Sequence, residues 1–393
     1  MSRILVEYEK DDQTSASMKS GLNSLWGTGC KYGVEIRYVR TKDIAKNDLK
    51  WCDILFLFRP FTPTTVRIAK AAKRMERMCF AYYDDDLIRL DNRFIINKRY
   101  KSVKSCLQVS DGVISPNPIL AKDYAKMTPT GRYSIVNTYI NEEWITEPKC
   151  NQNEHVRIVY AAGKDHDSLF NEYIRPIVPQ LFEEFGGNIS LTFIGVHPDM
   201  KGYDETVKIE YLPLFPLDQY RSHMMQQGYD VGLAPLKNEP FSNRKYFNKF
   251  FEYTLAGSFG LYSNCLPYKL IIENGENGLL VDNTPEKWLE AIRCSVRNSK
   301  MRKHCVIKAQ NQLRTRFSME VVQNEWICSI PEIISYTADR NKNCSLVFIK
   351  IRYFLFSYFE MLHKTICYLK KKGYANLMMK IKEHISDRNK FIV

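Results

Sequence analysis

The 393-residue chain contains no CxxC pair: its eleven cysteines stand singly along the sequence. That removes the usual pattern of a disulfide scaffold or a zinc ribbon and points to free thiols in a reducing, cytoplasmic setting. No N-terminal stretch joins a basic flank, an apolar core and a small-residue cleavage site, so no secretory leader is expected. The most aromatic segment, 345–385, lacks an unbroken apolar run of about twenty residues, because Lys350, Arg352, Glu360 and Lys364 interrupt it. A transmembrane helix is not expected there.

What is present is enough apolar material, 45% of residues, to bury two cores of ordinary size,. The net charge of +13 is unevenly placed: residues 341–393 hold eleven Lys or Arg against three acids, about eight of the thirteen charges. A charged tail on a mildly basic, enzyme-sized body follows, and nucleic-acid binding over the whole surface does not.

Short apolar runs alternate with longer helical patterns. Strands are expected at 3–8, 33–39, 53–58, 78–83, 112–115 and 133–137, and helices at 64–77, 98–108 and 118–126,. After a polar stretch around Pro148 the alternation restarts. Strands are expected at 156–162, 190–195, 207–212, 229–234, 259–263 and 278–282, with helices at 168–184, 217–226, 245–256, 285–297 and 301–313. Thr284 followed by Pro285 is a helix-start signal, and Gly257 suits the left-handed position after a last turn. The predicted architecture is α/β: two tandem doubly wound Rossmann-like domains, 1–147 and 155–335, then a basic, aromatic, amphipathic helical tail, 336–393. Ligands of such sheets bind beyond the carboxyl ends of the strands, so the cleft between the domains is the expected site.

The segment with most chemistry runs from Ala234 to Asn264. Lys245, Lys249 and Glu252, spaced by four and three, would share one face of a helix,. Such a face is either a solvated ionic stripe or a nucleotide diphosphate site, with lysines against phosphate and a carboxylate on the ribose.

The run Asn248-Lys249-Phe250-Phe251-Glu252-Tyr253, then Ala256-Gly257, Ser263, Pro267-Tyr268 and Asn274-Gly275-Glu276-Asn277-Gly278-Leu279-Leu280-Val281 resembles the donor-binding half of group 1 glycosyltransferases of GT-B fold. The likeness extends upstream through residues 109–115, Asn137 and the turn Gly163-Lys164-Asp165-His166-Asp167. Arg59, ending DILFLFR, also matches an arginine of one subgroup.

The resemblance implies transfer of a sugar, with retention at the anomeric carbon, from a nucleotide diphosphate sugar to an acceptor hydroxyl. No cofactor or bound metal is implied; Lys245, Lys249 and Lys164 would stabilise the departing diphosphate and Glu252 would hold the ribose. Arg59, Gly163, His166 and Tyr268 are implied as further substrate contacts. Arg244, with seven residues between it and Glu252, stands where many members carry a glutamate that touches the donor sugar, and is the candidate substrate contact at that place. Ser258-Phe259-Gly260 is a second departure from the pattern. A nucleotide-sugar epimerase or hydrolase of the same fold, and a non-catalytic scaffold for polysaccharide assembly, are the alternatives.

The run Tyr83-Asp84-Asp85-Asp86 permits three readings. Asp84 and Asp86 have the D-x-D spacing of a metal-dependent GT-A enzyme. The GT-B resemblance instead lines the cleft with an aspartate near the acceptor hydroxyl, with Asp85 and Asp86 as candidates. In the third reading one aspartate caps the next helix and the others are solvated. A second complete α/β half favours the cleft-lining reading. Trp51, Trp144, Trp288 and Trp326 read as core or domain-contact residues.

Residues 317–335 hold the position of helices that cross back to the first domain, with a kink expected at Pro331. The tail beyond, with Lys370-Lys371-Lys372, suits either an interfacial helix on an anionic membrane or a helix packed on the protein body or in a dimer. A saccharide or lipid-linked acceptor for surface polysaccharide or glycolipid synthesis, with the protein peripheral on the inner face of the cell membrane, is what the family resemblance adds.

Overall fold

The computed structural model describes residues 2–9, 16–90, 99–148, 155–163, 167–200, 208–342 and 365–366. Apart from residues 365–366, the expected tail helix lies outside them, as do Lys164 and His166.

Two six-stranded sheets form the frame, and every strand pair in both is parallel. The first contains β1 (Arg3–Tyr8), β2 (Glu35–Arg40), β3 (Ile54–Phe58), β4 (Met78–Tyr82), β5 (Gly112–Ser115) and β6 (Tyr133–Ile135), in spatial order β2-β1-β3-β4-β5-β6. The second contains β7 (Val156–Ala161), β8 (Ile189–Ile194), β9 (Lys208–Leu212), β10 (Val231–Ala234), β11 (Phe259–Ser263) and β12 (Leu279–Val281), in order β12-β11-β10-β7-β8-β9. Each order reverses beside its first strand, which opens a crevice at the carboxyl ends between β1 and β3 and between β7 and β10.

Parallel strands must be covered on both faces, and the apolar runs provide for it. All five residues of β3 are buried. In β1, Ile4 and Val6 enter one core while Leu5 enters the opposite one with Leu55, Leu57, Ile68 and Ala72. The Ile4 side is closed by the far end of the chain. Trp326, on the helix Met319–Ser329, is fully buried among Phe56, Phe80 and Tyr82 and donates from Nε1 to Ser24 Oγ at 2.9 Å. Residues that follow the second sheet thus complete the core of the first. Arg340 extends this tie by donating from Nη2 to Asp53 at 2.7 Å. Pro331 separates that helix from the short helix Glu332–Ser335, as expected of a residue that cannot continue a helix,.

Some expectations are redrawn. The helix expected over 168–184 is two helices, Asp167–Tyr173 and Val178–Phe185, with a 3-10 turn between. Pro176 and Pro179 lack the amide hydrogen that a continuous helix would use there,. The helix Ala16–Tyr32 carries three glycines, which mask its pattern,. Close approach explains two of them: a Cβ on Gly21 would lie 2.8 Å from the Tyr82 ring, and one on Gly29 would lie 2.5 Å from Ile36. Thr284 does accept from the Lys287 amide at the start of Pro285–Arg297, and Gly257 adopts φ +70° after Asn248–Leu255. Among the described residues no helix is long and apolar enough to cross a membrane.

Candidate functional site

The carboxyl ends of the two sheets face a common cleft of about 520 Å³, within the usual range for a small-molecule site,. Its first-domain wall is supplied by Ser17, Arg59, Asp84 and Asp85. Its second-domain wall includes Gly163, Tyr220, Lys245, Lys249, Glu252 and Tyr268.

The three consecutive aspartates follow β4, and each has a different environment. Arg59 follows β3 with φ +49°, and its amide donates to the Tyr82 carbonyl at 2.9 Å. That backbone turn brings the guanidinium to Asp84 as a fork, with Nη2 donating to Oδ2 at 2.7 Å and Nε to Oδ1. Asp86 is fully buried and accepts from the Tyr124 hydroxyl at 2.9 Å, from the Arg89 amide at 3.1 Å and from Arg89 Nη1 at 2.6 Å. It closes the turn into Leu87–Leu90 and does not line the cleft. Asp85 is half-buried and lines the cleft. Burial first, and then the neighbouring Asp84 charge, raise its pKa above the usual carboxylate value, while Arg59 and Lys245 oppose the shift.

The D-x-D reading thus loses its geometry, because Asp84 and Asp86 are committed to separate guanidiniums. The GT-A fold is excluded by the two complete parallel sheets. Among the described residues no three or more His, Cys, Asp or Glu side chains gather as a cation ligand set.

On the opposite wall, β10 runs into a loop, a 3-10 turn over Ser242–Arg244, and then the helix Asn248–Leu255. The helix starts three residues later than expected. Lys245 is therefore extended backbone ahead of it, not one turn along the same face as Lys249. Both lysines still reach the cleft. Lys249 pairs with Glu252 one turn on, and the Tyr220 hydroxyl donates to Glu252 Oε2 at 2.8 Å. Tyr268 is buried against Tyr262, with ring centroids 5.0 Å apart, and its phenol is pushed well up by burial.

Arg244 does not line the cleft. Its Nε donates to Asp123 Oδ2 at 2.8 Å and lies 3.7 Å from Asp86, so it joins the second-domain loop to the helix Pro118–Ala125 of the first. Although burial works against ionisation, the guanidinium holds the Asp123 carboxyl below its ordinary value. Asn117, which caps that helix, also donates from Nδ2 to the Lys245 carbonyl at 2.6 Å. The loop that presents Lys245 is therefore anchored on the opposite domain.

Sequence reasoning did not single out Tyr220, Asn117, Asp123 or Ser17. Asn117-Pro118 is a legible cap followed by a proline, so the helix start was available; its contact with Lys245, 128 residues away, was not. For Tyr220 and Asp123 no local signal exists.

No family model and no curated protein matches the chain. Solved structures do. HepE from Anabaena, in complex with UDP and glucose, superposes with TM-score 0.57 at 9% identity, covering 84% of this chain and 100% of that one. Sucrose-phosphate synthase from Thermosynechococcus elongatus gives TM-score 0.58 at 11% identity, covering 85% and 100%. A putative UDP-N-acetylglucosamine 2-epimerase from Listeria monocytogenes gives 0.54 at 10%, covering 88% and 99%. The likeness is one of architecture: the chain has the GT-B fold, two facing α/β domains with their strand ends at a shared cleft.

Proposed function

We propose that the protein is a glycosyltransferase that moves a sugar from a nucleotide diphosphate sugar to a hydroxyl of a saccharide or lipid-linked acceptor. The observation that carries this reading is a single cleft with Lys245, Lys249 and Glu252 on one wall and Asp85 on the other. Fold neighbours crystallised with UDP, or with UDP and glucose, support a nucleotide-sugar donor.

In this reading the donor diphosphate lies against Lys245 and Lys249, whose positive charge stabilises the departing phosphate oxygens. Glu252 accepts from the donor ribose. Asp85, on the cleft wall, accepts a hydrogen bond from the acceptor hydroxyl and orients it, and the acceptor proton passes to the leaving phosphate as the new glycosidic bond forms,. Attack and departure on one face give retention. Cationic side chains, not a bound metal, carry the phosphate charge. Lys164 and His166 join the donor side, and the basic tail holds the enzyme at an anionic cytoplasmic membrane surface where surface polysaccharide or glycolipid is made.

The fold neighbour named as a putative epimerase favours one second reading, turnover of the nucleotide sugar without an acceptor. The test is nucleotide release from a panel of sugar nucleotides, with and without saccharide and lipid-linked acceptors. Release that depends on acceptor supports the transferase. Sugar turnover at the full rate without acceptor replaces it with the epimerase or hydrolase.

A further inference from the structure

The cleft contains a three-way contact that the donor reading alone does not use. Tyr220, on the helix Leu217–Gln227, donates its hydroxyl to Glu252 Oε2 at 2.8 Å. Lys249 donates to that same oxygen, and its Nζ lies 3.3 Å from the Tyr220 oxygen and 5.2 Å from the centre of the tyrosine ring. Two donors on one carboxylate oxygen fill its acceptor positions, so Glu252 keeps unspent accepting capacity only at Oε1. In this arrangement the carboxylate cannot take both hydroxyls of a ribose through separate oxygens, and Lys249 is committed away from a diphosphate.

Arrival of a nucleoside diphosphate changes the balance. Its phosphates carry more negative charge than one carboxylate, so they draw the ammonium from Glu252. Tyr220 cannot follow. Its ring is wedged between the cleft and a small apolar cavity lined by Trp144, Met224, Phe251 and Leu255, and its helix is packed on the helix of Glu252. Burial, and after it the Glu252 charge, keep the phenol protonated far above its ordinary pKa, so it remains a donor.

We propose that Tyr220 is a positioning residue: its hydroxyl holds the Glu252 carboxylate in place for the ribose hydroxyls once Lys249 has moved to the diphosphate. The proposal rests on the donor reading above and adds to it the group that makes ribose recognition independent of the lysine. A tyrosine can do this where a second lysine could not, because a neutral donor fixes the carboxylate without competing for the phosphates.

The test is calorimetric binding of UDP and GDP, their 2′-deoxy and 3′-deoxy counterparts, and the matching monophosphates, to the full-length protein and to Tyr220→Phe. Wild type is expected to prefer the ribonucleotide by about tenfold, the effect of losing a hydrogen bond to a charged group. Tyr220→Phe removes only the hydroxyl; it is expected to bring that preference within about threefold while leaving the diphosphate-to-monophosphate ratio unchanged. Glu252→Gln, as a second variant, is expected to lose the same preference. If Tyr220→Phe weakens ribo- and deoxynucleotides equally, or Glu252→Gln alone loses the preference, Tyr220 is structural and the proposal fails. If wild type binds no nucleoside diphosphate at all, the donor reading itself falls, an outcome distinct from the first two.

Discussion

Asn117 caps the helix Pro118–Ala125 with its Oδ1 and, through Nδ2, donates to the Lys245 carbonyl across the cleft at 2.6 Å. One side chain therefore starts a helix in the first domain and holds the loop that carries a cleft lysine of the second. The two roles separate by substitution. Asn117→Asp keeps the cap but replaces the donor with a charge facing a carbonyl, whereas Asn117→Ala loses both and costs about 1 kcal/mol for the cap alone. Nucleotide titration should show weakened binding in both variants, and denaturant unfolding should show the larger stability loss in Asn117→Ala.

The neighbouring aspartates are predicted to fail in different assays. Asp86→Ala leaves the buried Tyr124 hydroxyl without its acceptor and frees the half-exposed Arg89 guanidinium to solvent, with an expected loss of about 1–3 kcal/mol in urea unfolding,. Asp85→Asn leaves the Arg59–Asp84 fork and the Asp86 cluster intact, so its midpoint should stay near that of wild type while acceptor-dependent turnover falls by at least about tenfold. Equal turnover in Asp85→Asn and wild type would remove Asp85 from the chemistry.

Glu7 supplies a pH test outside the cleft. Its side chain is fully buried, Oε1 accepts from Thr41 and from Thr65 at 3.2 Å, and Oε2 has no hydrogen-bond partner. Burial first, and then the charge of Glu9, raise its pKa well above the ordinary glutamate value. A carboxyl whose folded pKa is raised binds its proton more tightly in the folded state. Its contribution is therefore fully present at low pH and declines as pH climbs from the usual glutamate range through the folded pKa. Glu7→Gln mimics the protonated form. Thermal unfolding should show wild type and variant alike near pH 4, with the variant the more stable at pH 8.

The frame of the molecule was legible because buried parallel strands have a strong local signature. The run ILFLF could be little else, and its burial on both faces follows from that composition,. Helices were less legible where a tertiary contact sets the residue type. Gly21 and Gly29 weaken the helical pattern of Ala16–Tyr32 because Tyr82 and Ile36 lie against them. In the cleft, spacing alone set Lys245 on a helix that in fact begins at Asn248, since the preceding chain turns as a 3-10 segment anchored by Asn117. The sorting of Asp84, Asp85 and Asp86 was not local either: Arg59 and Tyr124, which claim two of them, are 25 and 38 residues away. Arg244 was read against the donor sugar, while its guanidinium is joined to Asp123, 121 residues distant.

The most direct test of the account is calorimetric titration of UDP and GDP into wild type, Lys249→Ala and Lys245→Ala. The cleft reading predicts saturable binding of at least one nucleoside diphosphate to wild type, weakened by about tenfold or more in each variant, since a charge-assisted contact contributes roughly 1.5–3 kcal/mol. Absence of binding to wild type, or binding that both substitutions leave unchanged, would contradict it.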